Sequence, residues 1–262
     1  MCRWIAYQGQ PIYLDALVAT PERSLIAQSM CAAEAKVTTN GDGFGVGWYG
    51  ERETPGLYRE VRPAWSDENL KSLCFQVRSA LFFAHVRAST GPATARANCH
   101  PFAVGKYMFM HNGQIGNYCA IKRQLDALIP DDLYPYRSGT TDSEALFLAA
   151  FAHGLRDDPV AAVIATLSMV HGLMLEARIA EPLRATLALT DGKDLYAFRW
   201  ASDACAPTLY WRQTEHDLMV VSEPLDRERA QWREVPQNCV LVARAGAPVT
   251  ISRLDDSMRQ AA

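Results

Sequence analysis

The chain has 262 residues and a net charge of −3, from 26 Lys and Arg against 29 Asp and Glu. That balance offers no electrostatic footprint for nucleic acid or an anionic membrane. With 49% hydrophobic and 21% charged residues, it has the composition of a globular protein able to bury a substantial core. No stretch reads as a membrane span. The opening "WIAYQGQPIYLDAL" breaks at Gln8, Gly9 and Pro11 before an apolar signal core can form, so a cytoplasmic location is expected.

"RWIAY" reads as a strand at the N-terminus, and "SLIAQSMCAAEA" has helical spacing. "TTNGDG" is a turn leading into a strand, "GFGVGWYG". "DENLKSLCFQVRS" is an amphipathic helix with acids in its first turn and Leu70, Leu73 and Val77 on one side. "ALFFAHVRA" and "KYMFMHNG" are strands that end in polar residues. "NYCAIKRQLDALI" is a helix opened by Asn117 as cap. "TDSEALFLAAFAHGL" is a helix capped by Thr141 or Asp142 and closed near Gly154. "PVAAVIATLSMVHGLMLEA" is apolar enough to be a largely buried helix. The last third is strand-rich, with hairpins at Asp191-Gly192 and Glu215-His216-Asp217. Antiparallel strands mixed with helices make the class α+β with layered sheets.

The seven cysteines are scattered and include no Cys-x-x-Cys, which argues against a disulfide framework or a zinc site. Cys2 alone has a special position. If Met1 is removed, Cys2 carries a nucleophilic thiol beside a free α-amine that can serve as base. A small side chain at position 2 favours that removal. Three other stretches crowd polar residues at the ends of apolar elements. In "HVRAST", Arg87 could grip a carboxylate through its planar fork or simply pair with a neighbouring acid. In "MHNGQIGN", Asn112 and the Gly113 N–H could aim two donors at one oxyanion, or form a plain Asn-Gly turn. In "SGTTDSEAL", Asp142 could hold an ammonium or only favour a helix N-terminus. His85, His100 and His111 lack metal-pair spacing, and no metal or other cofactor is expected.

Taken in order, Cys2, "HVRAST", "NCHPF", "MHNGQIGN" and "TTDSEA" resemble class II glutamine amidotransferases, over residues 2 to about 144. "DGFGVGWY" and "NCHPF" look most like the compact standalone members often called YafJ-like. Similar segments occur in subunits that hydrolyse γ-glutamyl compounds in ergothioneine and glutathione metabolism. The resemblance implies an N-terminal-nucleophile hydrolase fold, a four-layer αββα sandwich of two antiparallel sheets, with residues 1–262 as one glutaminase domain and no synthase domain. It implies that Cys2 attacks the side-chain amide of glutamine or another γ-glutamyl amide. Asn112 and Gly113 would hold the oxyanion, Arg87 and Thr90 the substrate α-carboxylate, and Asp142 its α-ammonium. Where sugar-phosphate amidotransferases read "HTRWATHG", this chain reads "HVRASTG", with Ala88 in place of the Trp.

Two other readings stay open at this level. One is a non-catalytic glutamine-binding or regulatory subunit of a partner enzyme; an acceptor-activating synthase partner is also compatible with the enzyme reading. The other is a hydrolase built on Cys99 and His100, disfavoured because neighbours on an extended segment point to opposite faces. "TTNGDG" and "PDDLYPYRSGT" are expected to shape the pocket mouth.

Overall fold

The computed structural model describes residues 2–34, 38–89, 91 and 93–254. In chain order the strands are β1 (Arg3–Tyr13), β2 (Phe44–Trp48), β3 (Gly56–Glu60), β4 (Arg78–Val86), β5 (Phe102–Val104), β6 (Tyr107–Ile115), β7 (Leu183–Thr190), β8 (Leu195–Ala201), β9 (Tyr210–Gln213), β10 (Asp217–Val221), β11 (Arg233–Glu234), β12 (Cys239–Ala243) and β13 (Thr250–Arg253). The α-helices are α1 (Asp15–Val18), α2 (Leu25–Met30), α3 (Glu68–Gln76), α4 (Tyr118–Asp126), α5 (Asp142–Ala150) and α6 (Pro159–Glu176).

The strands form two antiparallel sheets, ordered β11-β9-β10-β1-β4-β2-β3 and β13-β12-β8-β7-β6-β5. Side-chain alternation sorts their residues into three cores. Trp4 and Ala6 of β1 and Phe83 of β4 meet Met108 and Met110 of β6, Ala188 and Leu241 between the sheets. Ile5, Tyr7, Phe82 and Ala84 face the other way and pack under α1, α2 and α3. The outer face of the second sheet, with Phe109, Leu187 and Phe198, is covered by α4, α5 and α6. The result is the expected four-layer αββα sandwich.

The "GFGVGW" strand owes its glycines to this layering. Phe44 and Val46 point outward, so Gly45 and Gly47 face the second sheet. A Cβ on Gly45 would collide with the His100 carbonyl oxygen. Removing side chains there lets the segment around His100 lie against β2.

Local expectations fared unevenly. Of the acids expected in the first turn of α3, Glu68 lies there while Asp67 caps the helix, accepting from Leu70 N at 2.7 Å; Thr141 caps α5 through Glu144 N at 3.3 Å. Gly154, at φ 85°, ends the short 3-10 turn after α5. Asn117 does precede α4, but its backbone is left-handed (φ 40°) and its side chain makes no capping bond. The α2 helix stops at Met30, well short of the apolar run. His111-Asn112-Gly113 is not a turn: β6 continues through it to Ile115, paired with Leu187, Thr186 and Ala185 of β7.

The α6 helix departs most from expectation. Its 18 residues have a mean hydropathy of 1.5, long and apolar enough by length and composition to cross a bilayer. Only 33% of it is buried, through Ala162, Val163, Thr166, Leu167, Val170 and Met174. An apolar composition all round conceals which face packs, so the sequence overstated its burial.

Candidate active site

The alternation that sends Trp4 between the sheets also places Cys2 on that side, one step beyond the start of β1. The register Arg3↔Val86 and Trp4↔His85 then sets Cys2 beside Arg87 at the end of β4. Cys2 Sγ lies 3.6 Å from the Ala88 carbonyl oxygen. Burial pushes its thiol pKa up, while the Ala88 hydrogen bond and the nearby Arg87 and Arg3 charges oppose that rise.

Arg87 is 4% exposed and firmly oriented. Its Nη1 donates to the Asp42 carbonyl oxygen at 3.3 Å and its Nη2 to Ser89 Oγ at 3.1 Å. Asp42 also accepts from Ser89 N through Oδ2 at 2.8 Å. The turn "TTNGDG" therefore contributes Asp42, which shapes the segment carrying Arg87. Asp42 stood inside the "DGFGVGWY" stretch without a role; its contact with residue 89 is visible only in the fold. Thr90 lies outside the described residues, as does Met1.

On β6, Met108 and Met110 project between the sheets, and so does Asn112. Its side chain is 1% exposed, and neither Nδ2 nor Oδ1 has a hydrogen-bond partner among the described residues. Its carbonyl accepts from Thr186 Oγ1 at 2.9 Å, which pins the backbone. Gly113 has no room for a side chain, since a Cβ would collide with the Arg184 carbonyl oxygen and approach His111 Nε2. Trp4 and Met110 share the inter-sheet cluster, so Cys2 and Asn112 extend from strands already packed together.

Asp142 opens α5 rather than capping it. Its Oδ2 accepts from Ile115 N at 2.9 Å, and its Oδ1 accepts from Ser143 N at 2.8 Å. The Ile115 bond docks the helix start to the end of β6, two residues past Gly113. Asp142 lines a cavity of about 590 Å³ with Gly91, Gln114, Lys122, Thr140 and Glu181. Of the loop "PDDLYPYRSGT", only Thr140 reaches that cavity. Arg137 instead ties the loop to the protein through Glu144 (2.7 Å) and Asp126 (3.0 Å).

The three histidines stand close behind these groups. The His85 and His100 rings are tilted by 31° with centroids 4.2 Å apart, and none of their ring nitrogens has a hydrogen-bond partner among the described residues. Burial lowers His85 to about 3 and His100 well below its ordinary value. His111, bonded to Ser143 Oγ at 2.9 Å, is lowered by burial against the opposing charge of Asp142. Burial thus favours the neutral form of all three, and Arg87 and Arg3 are the side-chain cations that favour the Cys2 thiolate. Cys99 is fully buried with a raised thiol pKa, as a structural cysteine would be. Among the described residues, no group of three or more His, Cys, Asp or Glu converges to hold a metal.

The family model described as "Glutamine amidotransferases class-II" matches residues 19–262. The chain belongs to the class II glutamine amidotransferases. A probable glutamine amidotransferase of Saccharomyces cerevisiae, DUG3, is 33% identical over 93% of this chain and 82% of its own length. The gamma-glutamyl-hercynylcysteine sulfoxide hydrolase of Mycolicibacterium smegmatis is 26% identical over 93% of this chain and 96% of its own. A solved class II domain protein from Silicibacter pomeroyi superposes with a TM-score of 0.77 at 38% identity, covering 97% of this chain and all of that one. The phosphoribosylpyrophosphate amidotransferase of Bacillus subtilis shares the fold, with a TM-score of 0.65 at 14% identity over 97% of this chain and 49% of that one. Two relatives of this amidotransferase are thus named a probable glutamine amidotransferase and a gamma-glutamyl-hercynylcysteine sulfoxide hydrolase.

Proposed function

We propose that this amidotransferase hydrolyses the side-chain amide of glutamine, or a related γ-glutamyl amide, through a thioester on Cys2. The observation that carries this reading is the placement of Cys2 beside Arg87 at the inter-sheet edge, on strands packed against the one that presents the Asn112 amide, which has no partner among the described residues. With Met1 removed, the α-amine of Cys2 takes the thiol proton as sulfur attacks the γ-carbonyl carbon. Asn112 Nδ2 and the Gly113 N–H stabilise the oxyanion. Collapse expels the amine, which takes the proton back, and leaves the glutamyl thioester. Water then cleaves the thioester to glutamate and restores the thiol. Arg87, with Thr90, binds the α-carboxylate and Asp142 the α-ammonium, so the pocket selects an amino-acid head group rather than any amide. The relatives' names support a γ-glutamyl substrate of this kind. The inter-sheet core draws on strands from both halves of the sequence, which supports treating residues 1–262 as one glutaminase domain.

Release of glutamate from glutamine, measured on protein whose mass shows an N-terminal Cys2, tests the reading. Binding without any release would favour a regulatory subunit instead. Asn112→Ala is expected to lower kcat by about a hundred- to a thousand-fold with little change in KM, because its donor acts on the oxyanion alone. Asp142→Asn should raise KM by roughly ten- to a hundred-fold with a smaller effect on kcat, since it removes a charge-assisted contact to the substrate ammonium. Steady-state kinetics of the two variants separate these effects.

A further inference from the structure

Arg3 follows Cys2 in the chain, yet no part of its side chain reaches solvent. Strand alternation turns it away from the inter-sheet face, toward α2 and the end of β10. Its Nε nevertheless comes back to donate to the Cys2 carbonyl oxygen at 2.7 Å. Its Nη1 stands 3.6 Å from Glu223 Oε2, in an ion pair whose side chains are 0% and 2% exposed. Neither Nη1 nor Nη2 has a hydrogen-bond partner among the described residues. Glu223 is held in turn by the backbone N–H groups of Ala33 and Glu34, each at 2.9 Å. Desolvating such a pair costs about as much as its attraction returns. Stability alone is therefore a poor account of a buried arginine at this position.

We propose that Arg3 is the positioning residue of Cys2: it fixes the Cys2 backbone through the carbonyl, and its cation favours the deprotonated, reactive forms of the adjacent α-amine and thiol. Glu223 moderates that field. The proposal rests on the reading of Cys2 as an N-terminal nucleophile. The gripped carbonyl oxygen is three bonds from the α-nitrogen, which brings the guanidinium within the range of about 4–6 Å where a neighbouring charge acts strongly. Other groups facing Cys2 act on it differently. Arg87, just beyond β4, acts in the same direction on the thiol and more strongly, but it bonds Asp42 and Ser89, whereas Arg3 grips the Cys2 carbonyl itself. His85 and His100 are uncharged, Cys99 stays protonated, and Glu34 faces Arg3 from the loop after α2.

The two halves of the ion pair should act with opposite sign. Arg3→Gln removes the cation, so the acid limb of kcat/KM moves up by roughly one pH unit, a loss of about tenfold near pH 7. Glu223→Gln removes the offsetting anion and moves the limb down. The double variant R3Q/E223Q leaves the buried site uncharged, which protects the test if a single variant folds poorly. Its limb should fall between those of wild type and Arg3→Gln. The experiment is the pH dependence of inactivation by a chloroketone analogue of glutamine, with peptide mapping to Cys2, alongside the 15N shift of the α-amine across the titration. A role in folding alone would change rates in all variants without moving the limbs apart. Limbs that coincide across the four proteins, each labelled at Cys2, would overturn the role of Arg3 and leave the nucleophile in place. Absence of labelling in the wild type would overturn the nucleophile, and this proposal with it.

Discussion

Cys2→Ala is expected to reduce glutamate release by roughly 10⁴-fold or more, to the level of residual binding and oxyanion stabilisation. The variant should still bind glutamine, because Arg87 and Asp142 are held by their own partners and not by the thiol. Arg87 is gripped by Asp42 and Ser89, and Asp142 by Ile115 and Ser143. Calorimetry on Cys2→Ala and glutamate assays on both proteins check the two halves of this expectation. Cys99→Ala is the matching control. Its sulfur is buried and hydrogen-bonds the Glu60 and Ala95 carbonyls, so activity should survive with some loss of stability. Full activity in Cys2→Ala would overturn the mechanism, whatever the pocket binds.

Acid should destabilise the fold before ordinary carboxylate titration does. In the native state His85 is lowered to about 3, and His100 and His111 are lowered as well. In the unfolded chain each histidine returns to about 6.5. Between those values the unfolded state binds more protons than the native state, so stability is full above about pH 6.5 and falls as the pH drops. The slope is about 1.4 kcal/mol per pH unit for each histidine that stays neutral when folded. For His85 alone this amounts to about 2 kcal/mol by pH 5, and the other two add in the same direction. Urea midpoints measured from pH 7.5 to 4.5 give the slope directly. His85→Phe should flatten it, because the replacement has no proton to bind in either state. A flat profile in the wild type would mean that the histidines are hydrated or charged in the native protein.

Much of the architecture was legible because alternation in apolar strands is a local signal. "RWIAY", "ALFFAHV" and "YMFM" each announced a strand, and the final third displayed its hairpins through Asp191-Gly192 and Glu215-His216-Asp217. The misses share a physical origin. "HNG" carries strong turn chemistry, yet pairing with β7 holds it extended, because ladder hydrogen bonds outweigh a local preference. Asn117 has a capping side chain but a left-handed backbone that carries it away from the helix. The α6 helix is apolar on every side, so nothing in its composition marks which face would be covered.

The candidate site divides in the same way. Residue by residue the sequence left Arg87, Asn112, Gly113 and Asp142 open beside ordinary alternatives; the order of their motifs after Cys2, and the family resemblance it carries, is what assigned them, with Thr90, to one site. Only the tertiary structure decided what holds them. Asp42 meets the Arg87 segment from 45 residues earlier in the chain, and Glu223 meets Arg3 from 220 residues later. Contacts at such separations leave no periodic trace, because they arise where two sheets and their connecting loops close on one another.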